Sequence, residues 1–442
     1  MPSITQALVV LCSAVAAVSA SPVAALSLEG GQTADASLAQ VISPGVARRD
    51  PSVELFEAYT KHGMHVPREL AAYVEASKRR EAAAAANLRG RGLRGGANLK
   101  PHDGEKDWLT TIKVGSPPQT LHVVLDTYSS TSWIYSDLMP AEQQRNHGVY
   151  RPSKSKTASK MDLEYSIEYQ DGQFSGTLSG GMVADVISLG NCIEHKQPFM
   201  AVNKTSRPDV GGFSGVDGVL ALGFSGWEDI ADKSIADASR SFFENIKGNL
   251  SAPVMGFDQR HKKSGWVDLG VVPKERYVGE LSYLPVDSSN LSWNMTASGY
   301  AIGSADNFKA EPLLGVADTA TTFLLLPDSI CKPYYAQVKG SYYDSPQGGY
   351  AFPCDSKLPD FFVRMGQTDI RVPGSYIKYS ALTDDDGKRN GKCFGGLQIA
   401  WMDFLGDGTK INVFGTTIHK AAYVVYEDAQ AGPRIGWANK KL

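Results

Sequence analysis

Several quick routes to a function are missing from this sequence. Five cysteines in 442 residues are too few for a disulfide-built scaffold. None stands in a C-x-x-C pair and no histidine lies close enough to complete a zinc knuckle. No later stretch reaches the roughly 18–20 apolar residues that span a bilayer, so no membrane span is expected. A net charge of −3 gives no electrostatic reason to expect nucleic acid as a partner. No G-x-S-x-G elbow, H-E-x-x-H helix or phosphate-binding G-x-x-x-x-G-K loop occurs, and the 8 histidines show no ligand spacing. Neither a metal nor any other cofactor is therefore expected.

What remains is a globular composition of 42% apolar residues with 44 Gly and 23 Pro. That combination suits short strands and many turns. The charge is unevenly spread. Residues 1–100 carry 11 basic and 8 acidic side chains, the remainder 33 and 39, a basic front end on an acidic body. Residues 7–18 form a short apolar run before Val18-Ser19-Ala20, the pattern of a secretory signal over residues 1–20. Secretion is the expected localisation, with a vacuolar destination open. Four Asn-x-Ser/Thr acceptors, Asn203, Asn249, Asn290 and Asn294, suit that route.

Residues 21–98 read as a separate, removable segment. It holds dibasic pairs at Arg48-Arg49 and Arg79-Arg80, an Ala-rich run, and Arg89-Gly-Arg-Gly-Leu-Arg-Gly-Gly. The G-x-G-x-x-G over residues 90–95 has no apolar strand before it and no helical pattern after it, so it reads as a linker. Cys354 and Cys393 flank a strand-rich segment and are the best candidates for one disulfide. Cys192 and Cys331 sit in apolar surroundings, as buried free thiols do.

From residue 108 onward short apolar or alternating runs are separated by Gly, Pro, Asn and Asp, which predicts an all-β body. Strands are expected over residues 121–125, 165–169, 219–222, 322–326, 411–414 and 421–426, with short helices around 230–246 and 329–338. One pattern occurs twice. Val123-Val124-Leu125-Asp126-Thr127-Tyr128-Ser129 ends an apolar strand on an acidic turn, and Val316-Ala317-Asp318-Thr319-Ala320-Thr321 does so again 192 positions later. Each half then contains an apolar run ending in glycine, at Gly223 and at Gly415. The body therefore reads as two related lobes, residues 99–282 and 283–442, each placing one Asp at a strand tip.

An Asp after four or five apolar residues is costly unless its oxygens find donors, and neighbouring hydroxyls and turn N–H groups can supply them. If the lobes bring the two carboxylates together, they cannot both ionise easily and one proton is shared. The ionised partner can then take a proton from water while the protonated one polarises a carbonyl. A capped turn would explain either copy alone; the matched pair points to chemistry.

These motifs resemble those of the pepsin-like aspartic proteinases of the secreted fungal type. Residues 55–63 resemble that family's activation segment, and Trp108-Leu-Thr-Thr-Ile-Lys-Val-Gly-Ser-Pro-Pro-Gln119 its mature N-terminal strands. Tyr165-Ser-Ile-Glu-Tyr-Gln-Asp-Gly resembles the flap hairpin; Asp217-Gly-Val-Leu-Ala-Leu-Gly and Arg434-Ile-Gly-Trp-Ala also match. The resemblance implies a bilobal fold, peptide or protein substrates, a monomer, and Asp126 and Asp318 as the catalytic dyad. By the same resemblance Thr127 and Thr319 tie the two loops together, and Ser129 and Thr321 donate to the carboxylates. Tyr169 closes over substrate with Trp133 as its partner, Asp171 receives a basic side chain, and Cys354/Cys393 match the family's C-lobe disulfide.

Four positions depart from the pattern. Tyr128 and Ala320 replace the third-position glycines of Asp-Thr-Gly, Gln170 replaces a flap glycine, and Thr416 stands where the family has Asp. Glycine permits positive φ and close approach of a substrate backbone, so Tyr128 and Ala320 bear on access to the dyad. Three readings follow: an acid endopeptidase, a peptide-binding protein without hydrolysis, or an enzyme acting on a small molecule. The tryptophans Trp227, Trp266, Trp293 and Trp401 are expected in packing roles, and residues 384–387 in a solvated turn.

Overall fold

The computed structural model describes residues 92–442 except 145–146, 172–173, 207–214, 226–238, 288–291, 346, 384–387 and 401–410; the side chains of residues 103, 169–171, 174–175 and 383 are also outside the description. The chain divides into two compact units, Met1–Ser77 and Lys78–Leu442, and every described residue belongs to the second. The expected signal, most of the removable segment, Asn290, Trp227, Trp401 and the 384–387 turn lie outside the described residues.

The second unit is built from strands, as its composition predicts. Thirteen strands form one sheet whose N-terminal part curls until Asp107–Val114 pairs with Phe174–Leu189 as well as with Gln119–Asp126. Long hairpin strands, Ser159–Asp171, Phe174–Leu189 and Cys192–Thr205, extend from it.

The sequence repeat becomes a repeat of topology. In the N-terminal lobe Gln119–Asp126 lies antiparallel to Asp107–Val114 and parallel to Gly218–Ala221. That strand is antiparallel to Trp133–Tyr135, which runs parallel to Cys192–Thr205. The C-terminal lobe repeats the same alternation. There Leu313–Ala317 takes Asn294–Ala297 antiparallel and Asn412–Phe414 parallel. Leu324–Leu326 follows antiparallel to Asn412–Phe414, and Leu397–Ile399 parallel to Leu324–Leu326. Central strands covered on both faces read as continuous apolar runs, which is why Val123–Leu125 and Gly218–Ala221 are buried throughout. The glycine ending each run has a steric reason. A Cβ on Gly223 would come within 2.5 Å of the Tyr128 carbonyl oxygen, and one on Gly415 within 2.4 Å of that of Thr321. Each acidic loop thus rests directly on the backbone of its neighbouring strand.

The lobes are joined by strands drawn from distant parts of the chain. Gly95–His102 pairs with Lys263–Leu269, Val254–Arg260 with both Lys263–Leu269 and Ala422–Ala429, and Gly432–Asn439 with Val278–Pro285. Two expected boundaries fall inside strands. Gly95–His102 crosses the 98/99 division and Val278–Pro285 the 282/283 division. Gly95–His102 pairs with both Lys263–Leu269 and Asp107–Val114, and Val278–Pro285 with Gly432–Asn439, so each division falls within a paired strand.

The Cys354–Cys393 disulfide is formed, while Cys192 and Cys331 are free and buried. Asn249 is exposed. Asn294 requires a correction: its side chain is buried, and its Nδ2 donates to the Asp287 carbonyl at 3.1 Å. The expected acceptor there is spent on an internal turn. No helix among the described residues is long and apolar enough to cross a membrane.

Candidate active site

Asp126 ends its strand and Asp318 immediately follows Leu313–Ala317, each carboxylate collecting donors from its own turn. Oδ1 of Asp126 accepts the backbone N–H groups of Tyr128 (2.8 Å) and Ser129 (3.0 Å), and Oδ2 accepts the Ser129 hydroxyl at 2.5 Å. Asp318 is the mirror case. Oδ1 accepts Ala320 N–H at 2.8 Å and Oδ2 the Thr321 hydroxyl at 2.5 Å.

The threonines after each Asp lock the loops to one another. The Thr127 hydroxyl donates to the Ala317 carbonyl (3.1 Å) and accepts Thr319 N–H (3.1 Å). Reciprocally, the Thr319 hydroxyl donates to the Leu125 carbonyl (2.7 Å) and accepts Thr127 N–H (3.2 Å). Both side chains are fully buried, so the exchange fixes the two loops against each other without competition from water. Gln259, also buried, donates to the Thr319 carbonyl at 3.2 Å.

Burial pushes Asp318 up to about 7, and the neighbouring Asp126 charge adds to the shift. This is the behaviour of two carboxyl groups that share a proton. The charges of both act on Tyr128. Burial, then the charges of Asp318 and Asp126, hold its phenol above its ordinary range, so it stays neutral.

The missing glycines cost no backbone strain. Among the described residues, positive φ outside glycine occurs at Glu105 and Lys262, not at Tyr128 or Ala320. Both residues keep the N–H that holds their carboxylate; only the added side chain matters. That of Ala320 packs against the N-terminal-lobe cluster around Val124 and Trp133.

Buried Asp318 and half-buried Asp126 thus stand on crossed threonine loops, and comparisons with known proteins agree with that arrangement. Residues 107–440 match the model of the eukaryotic aspartyl protease family. The chain belongs to that family. It is 34% identical to aspergillopepsin-1 of Aspergillus oryzae over 98% of both chains. Penicillopepsin-2 of Penicillium janthinellum is 35% identical over 83% of this chain and 86% of its own. Endothiapepsin of Cryphonectria parasitica is 33% identical over 91% of this chain and 90% of its own.

The aspartyl protease fold thus brings together Asp126, Asp318, Thr127, Thr319, Ser129, Thr321, Tyr128 and Ala320. Trp133 is buried behind the loop, edge-on to Tyr135 at 5.1 Å. The backbone of the flap hairpin pairs Tyr169 with Gly176 and Asp171 with Phe174, while the side chains of Tyr169, Gln170 and Asp171 lie outside the described residues. Thr416 accommodates the loss of the family Asp by turning its hydroxyl to the Thr322 carbonyl at 3.1 Å.

Trp293 packs near the loops as expected, while two other residues there escaped the sequence reading. Trp293 donates its Nε1–H to the Leu222 carbonyl at 3.4 Å and packs on Phe224 at 4.4 Å. The other two, His419 and Tyr426, sit beneath the threonines. His419 and Tyr426 belong to ordinary apolar segments with no local signature.

Proposed function

We propose that this protein is an acid endopeptidase, with Asp126 and Asp318 sharing one proton and activating water against a peptide carbonyl. The reading rests on one observation above all: two carboxylates held by mirror-image donors, Asp126 half-buried and Asp318 buried, with Asp318 raised by burial and by its neighbour. The ionised partner takes the proton from water while the protonated one donates to the carbonyl oxygen; no covalent intermediate is needed. Thr127 and Thr319 fix the loops, and Ser129 and Thr321 hold the carboxylates in place. Tyr169, partnered by Trp133, closes the hairpin over substrate and Asp171 receives a basic side chain.

The protein is made as a secreted, monomeric zymogen that carries glycan at exposed Asn249. Its basic front end and acidic body attract each other at neutral pH, and acid that protonates the carboxylates weakens that attraction. The cut is read at about residue 98, in a stretch that is hydrogen-bonded to the body from Gly92 onward. The Gly92 carbonyl accepts the Ser251 hydroxyl at 2.5 Å and Leu93 N–H donates to the Asn249 carbonyl at 2.9 Å. Cleavage at 98 would sever a paired strand.

The test is digestion of a denatured protein by the acid-treated protein at about pH 3 to 6, with and without pepstatin. Pepstatin-sensitive cleavage abolished by Asp126→Asn is expected; absence of cleavage refutes the reading. A second reading, binding without hydrolysis, is favoured by one observation, a half-buried Tyr128 phenol on which the charges of both carboxylates act. Tyr128→Gly separates the two. An inactive wild type that gains peptidase activity on this change identifies the ring as the block.

A further inference from the structure

We propose that His419 and Tyr426 form a positioning pair that sets the hydrogen bonding of the Thr127–Ala317 link beneath the two aspartates. The inference rests on the proteolytic reading and adds two residues to it.

His419 ends the short helix Thr416–His419 and is completely buried. Its Nδ1 lies 2.8 Å from the Gly415 carbonyl and its Nε2 2.9 Å from the Tyr426 hydroxyl. A carbonyl oxygen can only accept, so Nδ1 carries the hydrogen and Nε2 of the neutral ring is a lone pair. The Tyr426 phenol must then donate to Nε2. The same phenol oxygen lies 3.3 Å from the Ala317 carbonyl and 3.5 Å from the Thr127 hydroxyl. Ala317 precedes Asp318 and Thr127 follows Asp126, so this one hydroxyl touches both halves of the link.

A phenol has one hydrogen to give. While the imidazole is neutral, that hydrogen goes to Nε2 and the Ala317 carbonyl is left to Thr127 at 3.1 Å. Once the ring is protonated, Nε2–H donates to the phenol oxygen, and the phenol hydrogen turns to the Ala317 carbonyl, where it competes with Thr127. No heavy atom has to travel; one proton arrives and the phenol hydrogen reorients. The proton comes from solvent and enters the ring at Nε2.

Burial, opposed by the Gly415 carbonyl and helped by the Lys440 charge, holds His419 down to about 4. The reorientation therefore falls within the acid range. The charged neighbours are otherwise compensated. Lys440 donates to the His419 carbonyl at 3.1 Å and pairs with Asp258 at 3.1 Å, which also holds Arg260 at 2.8 Å. Lys420, next in the chain, pairs with Glu105 at 3.3 Å, and Glu105 with His261 at 2.8 Å; Lys262 lies beyond. On the far side Asp318 and Asp126 act on the Tyr426 phenol. The rest of the pocket wall is aromatic. Trp437 stands 5.5 Å from the imidazole, with Trp293 and Phe257 at 5.3 and 5.7 Å from the Tyr426 ring.

Two measurements test the pair. First, kcat and KM of pepstatin-sensitive hydrolysis are followed against pH in the wild type, in Tyr426→Phe and in His419→Leu with Tyr426→Phe. Tyr426→Phe is expected to lower kcat about tenfold with KM little changed, as loss of a positioning hydrogen bond does. Wild-type kcat should fall as pH drops through about 4, and the double variant should lose that limb. An active wild type whose variants keep its kcat and pH profile overturns the inference and leaves the proteolytic reading standing. A wild type without hydrolysis overturns that reading instead. Second, the 15N resonances of His419 and the amide of Thr127 are titrated in the unmodified protein, which needs neither turnover nor a variant. An Nδ1-protonated neutral tautomer, with the Thr127 amide moving at the same midpoint as the ring, is expected. An Nε2-protonated tautomer, or a Thr127 amide indifferent to the ring, overturns the inference.

Discussion

Thr319→Val isolates the contact on which the site's geometry depends. Valine keeps the shape of threonine, so no cavity opens and the change is confined to the hydroxyl. That hydroxyl makes two bonds between the lobes, to the Leu125 carbonyl at 2.7 Å and from Thr127 N–H at 3.2 Å. Thr319 is 1% exposed, so water cannot replace it. Each buried backbone group left without this partner costs about 1–3 kcal/mol, giving a loss of about 2–6 kcal/mol. The assay is urea unfolding followed by the fluorescence of the buried Trp133, Trp293 and Trp437, read as a shift in midpoint. Thr127→Val removes the mirror pair of bonds, to Ala317 and from Thr319, and should cost a similar amount. A loss below about 0.5 kcal/mol in either variant would refute the claim that the crossed threonines hold the loops, since that is the level of an ordinary surface substitution.

Two further outcomes follow from the same structure. Reducing the Cys354–Cys393 bridge, or changing both cysteines to serine, releases a 39-residue loop. The chain-entropy relation puts the loss at about 4 kcal/mol, checked by thermal unfolding with and without reductant. The raised carboxyl of Asp318 holds a proton in the folded state that the unfolded chain gives up near pH 4. Its stabilising contribution is therefore present below the ordinary carboxylate range and lost as pH rises through its raised value. Asp318→Asn should flatten the decline in thermal stability between pH 4 and neutrality; an unchanged difference from the wild type would contradict the assignment.

Much of the fold was legible because its central strands are buried on both faces. Such strands leave continuous apolar runs in the chain, and the expected strands at 121–125, 219–222, 411–414 and 421–426 coincide with observed ones. The long hairpins were less legible. Ser159–Asp171 and Phe174–Leu189 carry too many polar residues to announce their length, and their pairing supplies it.

The sequence by itself determined the chemistry on offer: two aspartates at strand tips, threonines behind them, hydroxyls beside them, and a cysteine pair able to bridge. These are local patterns, written in consecutive residues and repeated once. Only the tertiary structure decided how the patterns meet. It buried Asn294 despite its acceptor triplet, because an internal turn uses its amide. It placed Tyr128 and Ala320 at ordinary φ, so that losing the glycines adds side chains without straining the loop. It also set His419 and Tyr426 beneath Thr127, a contact across 299 residues in the case of Tyr426. Hydrogen bonds of that kind depend on where the chain returns, and no run of neighbouring residues encodes it.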